Sequence, residues 1–302
     1  MIQFFKDSNY NFVGYRWRAI TISAIIVLAG LVMSIVRGPN WSIDFRGGLD
    51  MQVRFEQDVT DGQVRSALSG LDVGEVKTIS SLGERNDMLI RMKETDNVGA
   101  LQDTIGHRLT SAFPGNPWEF RGVEVVGPKV GKELRNQAMI SAAVALVLLL
   151  IYISWRFEFA YAVGAIAALL HDVLVTWAFF MFFGYEISLS VLAAFLTLIG
   201  FSLNDTVVVF DRIRENLKKL RQMKLADIMN QSVNETLSRT VITSLTVFLT
   251  ILVLFIFGGP VLKGFSFAML VGVITGTYSS VYIAAPVVLE WAERKAIQGK
   301  KK

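Results

Sequence analysis

Six apolar stretches punctuate this chain: Ala19 to Val36, Ala138 to Ser154, Phe159 to Phe183, Ser188 to Phe210, Thr240 to Phe257 and Phe265 to Leu289. A bilayer core of about 30 Å is crossed by about 20 apolar residues in a helix, so the pattern predicts six transmembrane helices. The first stretch ends in Arg37-Gly38-Pro39 without a small-x-small cleavage site and is expected to stay as an anchor rather than leave as a signal peptide.

Between the first two stretches the pattern changes. Met51, Val53 and Phe55 alternate within Asp50 to Glu56, as a strand with one buried face requires. Thr60 or Asp61 can then cap a helix carrying Val64, Leu68 and Leu71. Glu75 to Ser80 and Met88 to Met92 read as strands joined by a turn over Leu82 to Asn86. Asp96 caps a second helix with Leu101, Ile105 and Leu109 on one face, Pro114 to Pro117 stops it, and Glu119 to Val126 is the last strand. The order βαββαβ predicts a ferredoxin-like α+β domain, whose exposed sheet edge could hold extended peptide. The expected fold is a polytopic α-helical membrane protein. Residues 1–37 hold the N-terminus and first span, 38–136 the α+β domain, 137–289 spans two to six, and 290–302 a basic tail.

Composition agrees: 52% of residues are hydrophobic and 19% charged, and mean hydropathy is +0.46, which marks an integral membrane protein. The net charge of +4 could suggest nucleic acid as a partner, but no nucleic-acid motif accompanies it. The basic residues instead gather beside the spans. Lys6, Arg16 and Arg18 precede the first, and Arg156 follows the second. Arg212, Arg214, Lys218, Lys219, Arg221 and Lys224 follow the fourth, and Arg294, Lys295 and Lys300 to Lys302 follow the sixth. By the positive-inside rule both termini are cytoplasmic and the α+β domain faces outward, into the periplasm of a bacterium. The chain has no cysteine, which excludes disulfides and thiolate metal sites.

Little in the outer segment suggests covalent chemistry. His107 stands without a neighbouring histidine or cysteine, and Gly127 to Glu133 lacks the spacing and the hydroxyl of a phosphate loop. ATP hydrolysis is not expected, and neither is any cofactor or metal. The membrane segments are more suggestive. Asp205 interrupts the fourth apolar run and Arg239 opens the fifth; an ionised group at that depth costs about 2.5–3.5 kcal/mol on insertion scales. A carboxylate shielded from water and within reach of a guanidinium can change its proton affinity through small movements, so protons are the expected coupling ion. Against this, Asp205 precedes Asp211-Arg212 by about 9 Å of helix and could be a solvated interfacial charge. His171-Asp172 falls about 18 Å into the third span, where it could relay protons or bond neighbouring helices; both readings stand. Gly200, Gly272 and Gly276 are expected to be close-packing positions between helices.

The run Gly200 to Asn216, with Asn204-Asp205 inside it, resembles the signature of the SecF family of protein-export subunits. Ile43 to Gly48, Val125 to Gly131, His171 to Val173, Ser238 to Ser244 and Phe257 to Leu262 extend the resemblance, in order, over essentially the whole chain. Arg46 departs from the pattern, since family members often carry a smaller residue before the glycine pair. A single compact outer domain is similar to SecF rather than to SecD, and the group belongs to the wider RND-like transporters. The resemblance implies a location in the bacterial inner membrane among its lipids, with SecD, the SecYEG channel and a translocating preprotein as partners. It also implies that Asp205 is the membrane aspartate of proton transport and Arg239 its partner. The expected function is use of the proton motive force, without covalent chemistry, to promote late translocation and release. A scaffold for SecD and SecYEG, or an RND-like small-molecule exporter, are the rival classes.

Overall fold

The computed structural model describes residues 8–79, 86–93 and 98–299. After α1 (Arg16–Arg37) and a short α2 (Ile43–Arg46) come β1 (Gly48–Phe55), α3 (Asp61–Ala67), β2 (Val73–Thr78), β3 (Asp87–Met92), α4 (Val98–Ala112) and β4 (Trp118–Val126). The remaining chain is helical: α5 (Pro128–Arg156), α6 (Phe159–Phe183), α7 (Leu189–Lys219), α8 (Leu225–Phe257), α9 (Gly259–Ser279), a π-helical turn at Ser280–Ala284, and α10 (Ala285–Gly299). Six helical units, the last being α9 through α10, are long and apolar enough to cross a membrane.

The outer domain has the expected βαββαβ order, with an antiparallel sheet arranged β2-β3-β1-β4. Leu49, Met51, Val53 and Phe55 of β1 bury one face against Val64, Leu68, Ile105 and Leu109 of α3 and α4. Of the two candidate caps, Thr60 closes a reciprocal box with Gln63, satisfying orphan N–H groups at both positions. Asp61 instead accepts a hydrogen bond from the Thr78 backbone N–H. The expected turn at Leu82 to Arg85 and the Asp96 cap fall outside the described residues.

The glycine pair before β1 has a backbone cause. Gly47 and Gly48 sit at φ 76° and 140°, conformations that L side chains rarely adopt. A Cβ on Gly48 would also meet the Met92 carbonyl at 3.0 Å. The Gly127 to Glu133 run is the start of α5, and a Cβ on Gly131 would lie 3.1 Å from the Gly47 nitrogen. Close packing of α5 against the α2 turn, not phosphate, explains that glycine. The second membrane helix therefore begins within the segment expected to be outer domain. At the other end, Arg212 to Lys219 continue α7 instead of forming a loop, and α10 carries helix to Gly299. Ion pairs Arg156–Asp211 (3.0 Å) and Arg212–Glu235 (2.5 Å) tie these helical extensions together.

The outer domain docks on the loop between α6 and α7. Gly184 ends α6 in the left-handed region, and Ile187 exchanges backbone bonds with the segment before β1: Ser42 N–H to Ile187 O at 3.0 Å and Ile187 N–H to Asn40 O at 2.7 Å. Asp44 accepts from the Leu189 N–H at 2.8 Å, placing a carboxylate at the start of α7, where the helix dipole favours it. Arg91, in β3 beside Asp50 of β1, completes the dock. Its guanidinium reaches Asp50 (2.7 and 2.8 Å), Glu186 (both 3.0 Å) and Glu75 (3.4 Å). The hydrogen bond to Asp50 is the largest influence holding its proton more tightly than in free arginine, and Glu186 adds to it.

Two results are expected. Arg91→Ala leaves a mostly buried Asp50 uncompensated and should cost about 3 kcal/mol. Denaturant unfolding in lipid nanodiscs measures this, with faster amide exchange at Ser42 and Ile187. A Cβ on Gly276 would press on the Ser202 Cβ and backbone at 3.1 and 3.3 Å, so Gly276→Val should lower stability by about 1–3 kcal/mol, read by thermal unfolding.

Candidate functional site

Helix α7 positions Asp205 on the side facing α8 and α9, where it is 3% exposed. It is therefore buried within the bundle rather than solvated, and the helix continues beyond it to Lys219. Its hydrogen-bond partner is the Ser244 hydroxyl of α8, donating at 3.2 Å. Thr277 of α9 in turn donates to the Ser244 oxygen at 2.6 Å. The Thr240 hydroxyl, one turn before Ser244, is buried without a hydrogen-bond partner among the described residues. A carboxylate held by hydroxyls can keep or lose a proton with little rearrangement, because a hydroxyl both donates and accepts.

Arg239 stands apart from this arrangement. It is exposed on α8, and among the described residues it forms no salt bridge with Asp205; its charge acts on the carboxylate through space. Asn204, adjacent to Asp205, is exposed. Gly272 is a close-packing position, with Leu198 2.4 Å from its built Cβ, and so is Gly276. Gly200 is not: nothing lies within 4 Å of its Cβ position. Ala193, Thr197, Gly200 and Asn204 instead form an outward stripe of small and polar residues along α7.

His171 and Asp172 make a second polar centre, among α1, α6, α7 and α9. Asp172, 1% exposed in its side chain, accepts from Ser202 at 2.5 Å and Ser279 at 2.7 Å. His171 Nδ1 lies 2.9 Å from the other carboxylate oxygen, and Nε2 lies 2.9 Å from Ser23 of α1. Ser202 is three positions from Asp205, about 4.5 Å of helical rise, so both carboxylates flank the α7–α9 seam. The supporting hydroxyls were not singled out in the sequence, because lone serines and threonines are ordinary in apolar runs. The polar cluster Thr275 to Ser280, inside the last span, is the signal that could have found them. His107 is exposed on α4, and among the described residues no acidic, histidine or cysteine cluster could hold a metal ion.

The family described as protein export membrane protein SecD/SecF, C-terminal, matches residues 108–294, and the SecD/SecF GG motif matches residues 32–59. A protein translocase subunit SecF from Calditerrivibrio nitroreducens is 43% identical, over 94% of each chain. The SecF of Pseudomonas aeruginosa is 41% identical, over 95% of this chain and 92% of its own. Among solved structures, SecDF from Thermus thermophilus, a translocon-associated membrane protein, superposes with a TM-score of 0.84 at 35% identity. That match covers 95% of this chain and 39% of the longer SecDF chain. This chain belongs to the SecD/SecF family of protein-export membrane proteins and, within it, to the SecF branch.

Proposed function

We propose that this chain acts with a SecD partner, beside the SecYEG channel, to spend the proton motive force on late movement and release of a preprotein across the bacterial inner membrane. The carrying observation is Asp205: a carboxylate buried in a bundle of membrane length whose hydrogen-bond partner, among the described residues, is a hydroxyl. A scaffold gains nothing from such a group, since an apolar residue there would avoid the cost of desolvation. Arg239 supplies a nearby cation without locking the carboxylate, so the proton can leave and return. Each proton moving inward releases about 2.3 kcal/mol per 100 mV. The dock of Arg91 and Asp44 on the α6–α7 segment offers the mechanical link, since α7 starts at the Asp44 contact with the outer domain and carries Asp205 near its middle. The edge strand β4 is the surface proposed to meet extended preprotein. Both termini lie in the cytoplasm on this reading.

Partner docking is assigned to the α7 stripe and Arg239. Small residues let membrane helices approach closely, and polar groups facing hydrocarbon favour being covered by another protein. Gly200→Leu is expected to lower SecD copurification several-fold with little change in the stability of this chain alone. Asp205→Asn is expected to abolish the acceleration of preprotein completion by an imposed proton gradient in membrane vesicles, at equal membrane abundance. A mutant that responds to the gradient like the wild type would return the protein to the class of scaffolds.

A further inference from the structure

The second polar centre can be counted proton by proton. Starting from Asp172, the contacts run Asp172 Oδ1 to His171 Nδ1 (2.9 Å) and His171 Nε2 to Ser23 Oγ (2.9 Å). They continue from Ser23 Oγ to Tyr278 Oη (3.1 Å) and from Tyr278 Oη to the Ala19 carbonyl (2.7 Å). Each of these four contacts needs one hydrogen to be a hydrogen bond. Ser23 and Tyr278 bring one each, and a neutral imidazole brings one. Three hydrogens cannot fill four contacts. In the arrangement present, Ser23 donates to Tyr278 and Tyr278 donates to Ala19, so Nε2 must donate to Ser23. Nδ1 then faces Asp172 across a contact that only one further proton can fill. By this count the added proton lies between Oδ1 and Nδ1; the other carboxylate oxygen, Oδ2, faces the Ser202 and Ser279 hydroxyls, and Ser279 also reaches the Gly276 carbonyl at 3.2 Å.

We infer that the His171–Asp172 pair is a second proton-holding site of this membrane bundle, and that its proton count sets the direction of the hydroxyl chain joining α6 to α1 and α9. With the proton present, the chain points toward Ala19 and ties the Tyr278 hydroxyl to the α1 backbone. When one proton leaves, the ring gives up its Nε2 hydrogen and Nδ1 keeps its own for Asp172; Ser23 then turns to donate to Nε2, Tyr278 turns to donate to Ser23, and Ala19 loses its side-chain donor. No bond between heavy atoms forms or breaks; one proton departs and two hydroxyls rotate. The groups facing the pair are Ser23 of α1, with Arg18 along the same cavity, Ser202 of α7 with Asp205 one turn on, and Tyr278 and Ser279 of α9, with Tyr282 of the π turn lining the cavity. That cavity, of about 430 Å³, runs along α1 from Tyr15 and Arg18 to His171. The inference deepens the proton-driven reading above and rests on it for its purpose, but the site is tested without translocation.

The chain has two histidines, and His107 is exposed on the outer domain, so it serves as an internal reference. Nitrogen-15 NMR of histidine-labelled full chain in lipid bilayers, titrated from about pH 5 to 9 around the ordinary histidine range, reads each ring nitrogen. In the wild type both His171 nitrogens are expected to carry hydrogen while the pair holds its added proton, and only one once that proton is lost. Tyr278→Phe removes two contacts and one hydrogen, leaving two contacts that a neutral ring and Ser23 fill unaided. That variant should lack the second ring proton where the wild type retains it, a change of at least about tenfold in proton affinity. Ser23→Ala, which leaves the Nδ1 contact alone on the ring, should behave alike. If His171 keeps one ring proton throughout, or if Tyr278→Phe titrates like the wild type, the pair is helix glue and the inference falls. Loss of the gradient response in Asp205→Asn would still uphold the proton-driven reading in that case, and an intact response beside a titrating His171 would do the reverse.

Discussion

A polar group inside a lipid-bounded bundle has only its own helices to satisfy it, and that constraint organises the middle of this protein. Asp205 and Asp172 each draw hydroxyls from neighbouring helices: Ser244 for one, Ser202 and Ser279 for the other. Those partners decide which helix faces meet. Gly272 and Gly276 let α9 close on α7 at Leu198 and Ser202, so the hydroxyls lie within bonding distance of the carboxylates. A wider seam would leave the acids unsatisfied; a fully apolar seam would leave nothing to titrate.

Much of this was legible in the sequence. Spans and sheet follow from periodicity, because burying a strand face or a helix in lipid imposes a repeat that survives in one sequence. Asp205 and His171-Asp172 stood out because charge is rare in such runs. Helix ends were less legible: Arg212 to Lys219 are polar enough to suggest a loop, yet α7 continues through them because Asn216 and Arg212 find Ser232 and Glu235 on α8. The Asp205–Arg239 pairing was expected from charge and from the family resemblance; among the described residues the hydrogen bond to Asp205 comes from Ser244, and Arg239 acts on it through space. Gly200 shares its composition signal with Gly272 and Gly276, but the side of α7 it occupies depends on the packing of the whole bundle.

The dock of the outer domain was invisible for a related reason. Arg91, Glu186 and Asp44 are ordinary charges in polar sequence, and only the tertiary fold brings them to one place. Three carboxylates from β1, β2 and the α6–α7 loop share a single guanidinium, so one side chain ties the sheet itself to the loop that the segment before β1 already grips through its backbone.

The π turn at Ser280–Ala284 follows directly after Ser279, the donor to Asp172. Such a turn holds one residue more than the α-helical repeat, and each residue of an α-helix turns the chain by about 100°. The last span is thus two screws of different phase, α9 meshed with α6, α7 and α8, and α10 chiefly with α6. Were the extra residue to migrate toward either end, every side chain it passed would face a new neighbour while the helix kept its length to within a fraction of a turn. The polar centre lies where that phase changes.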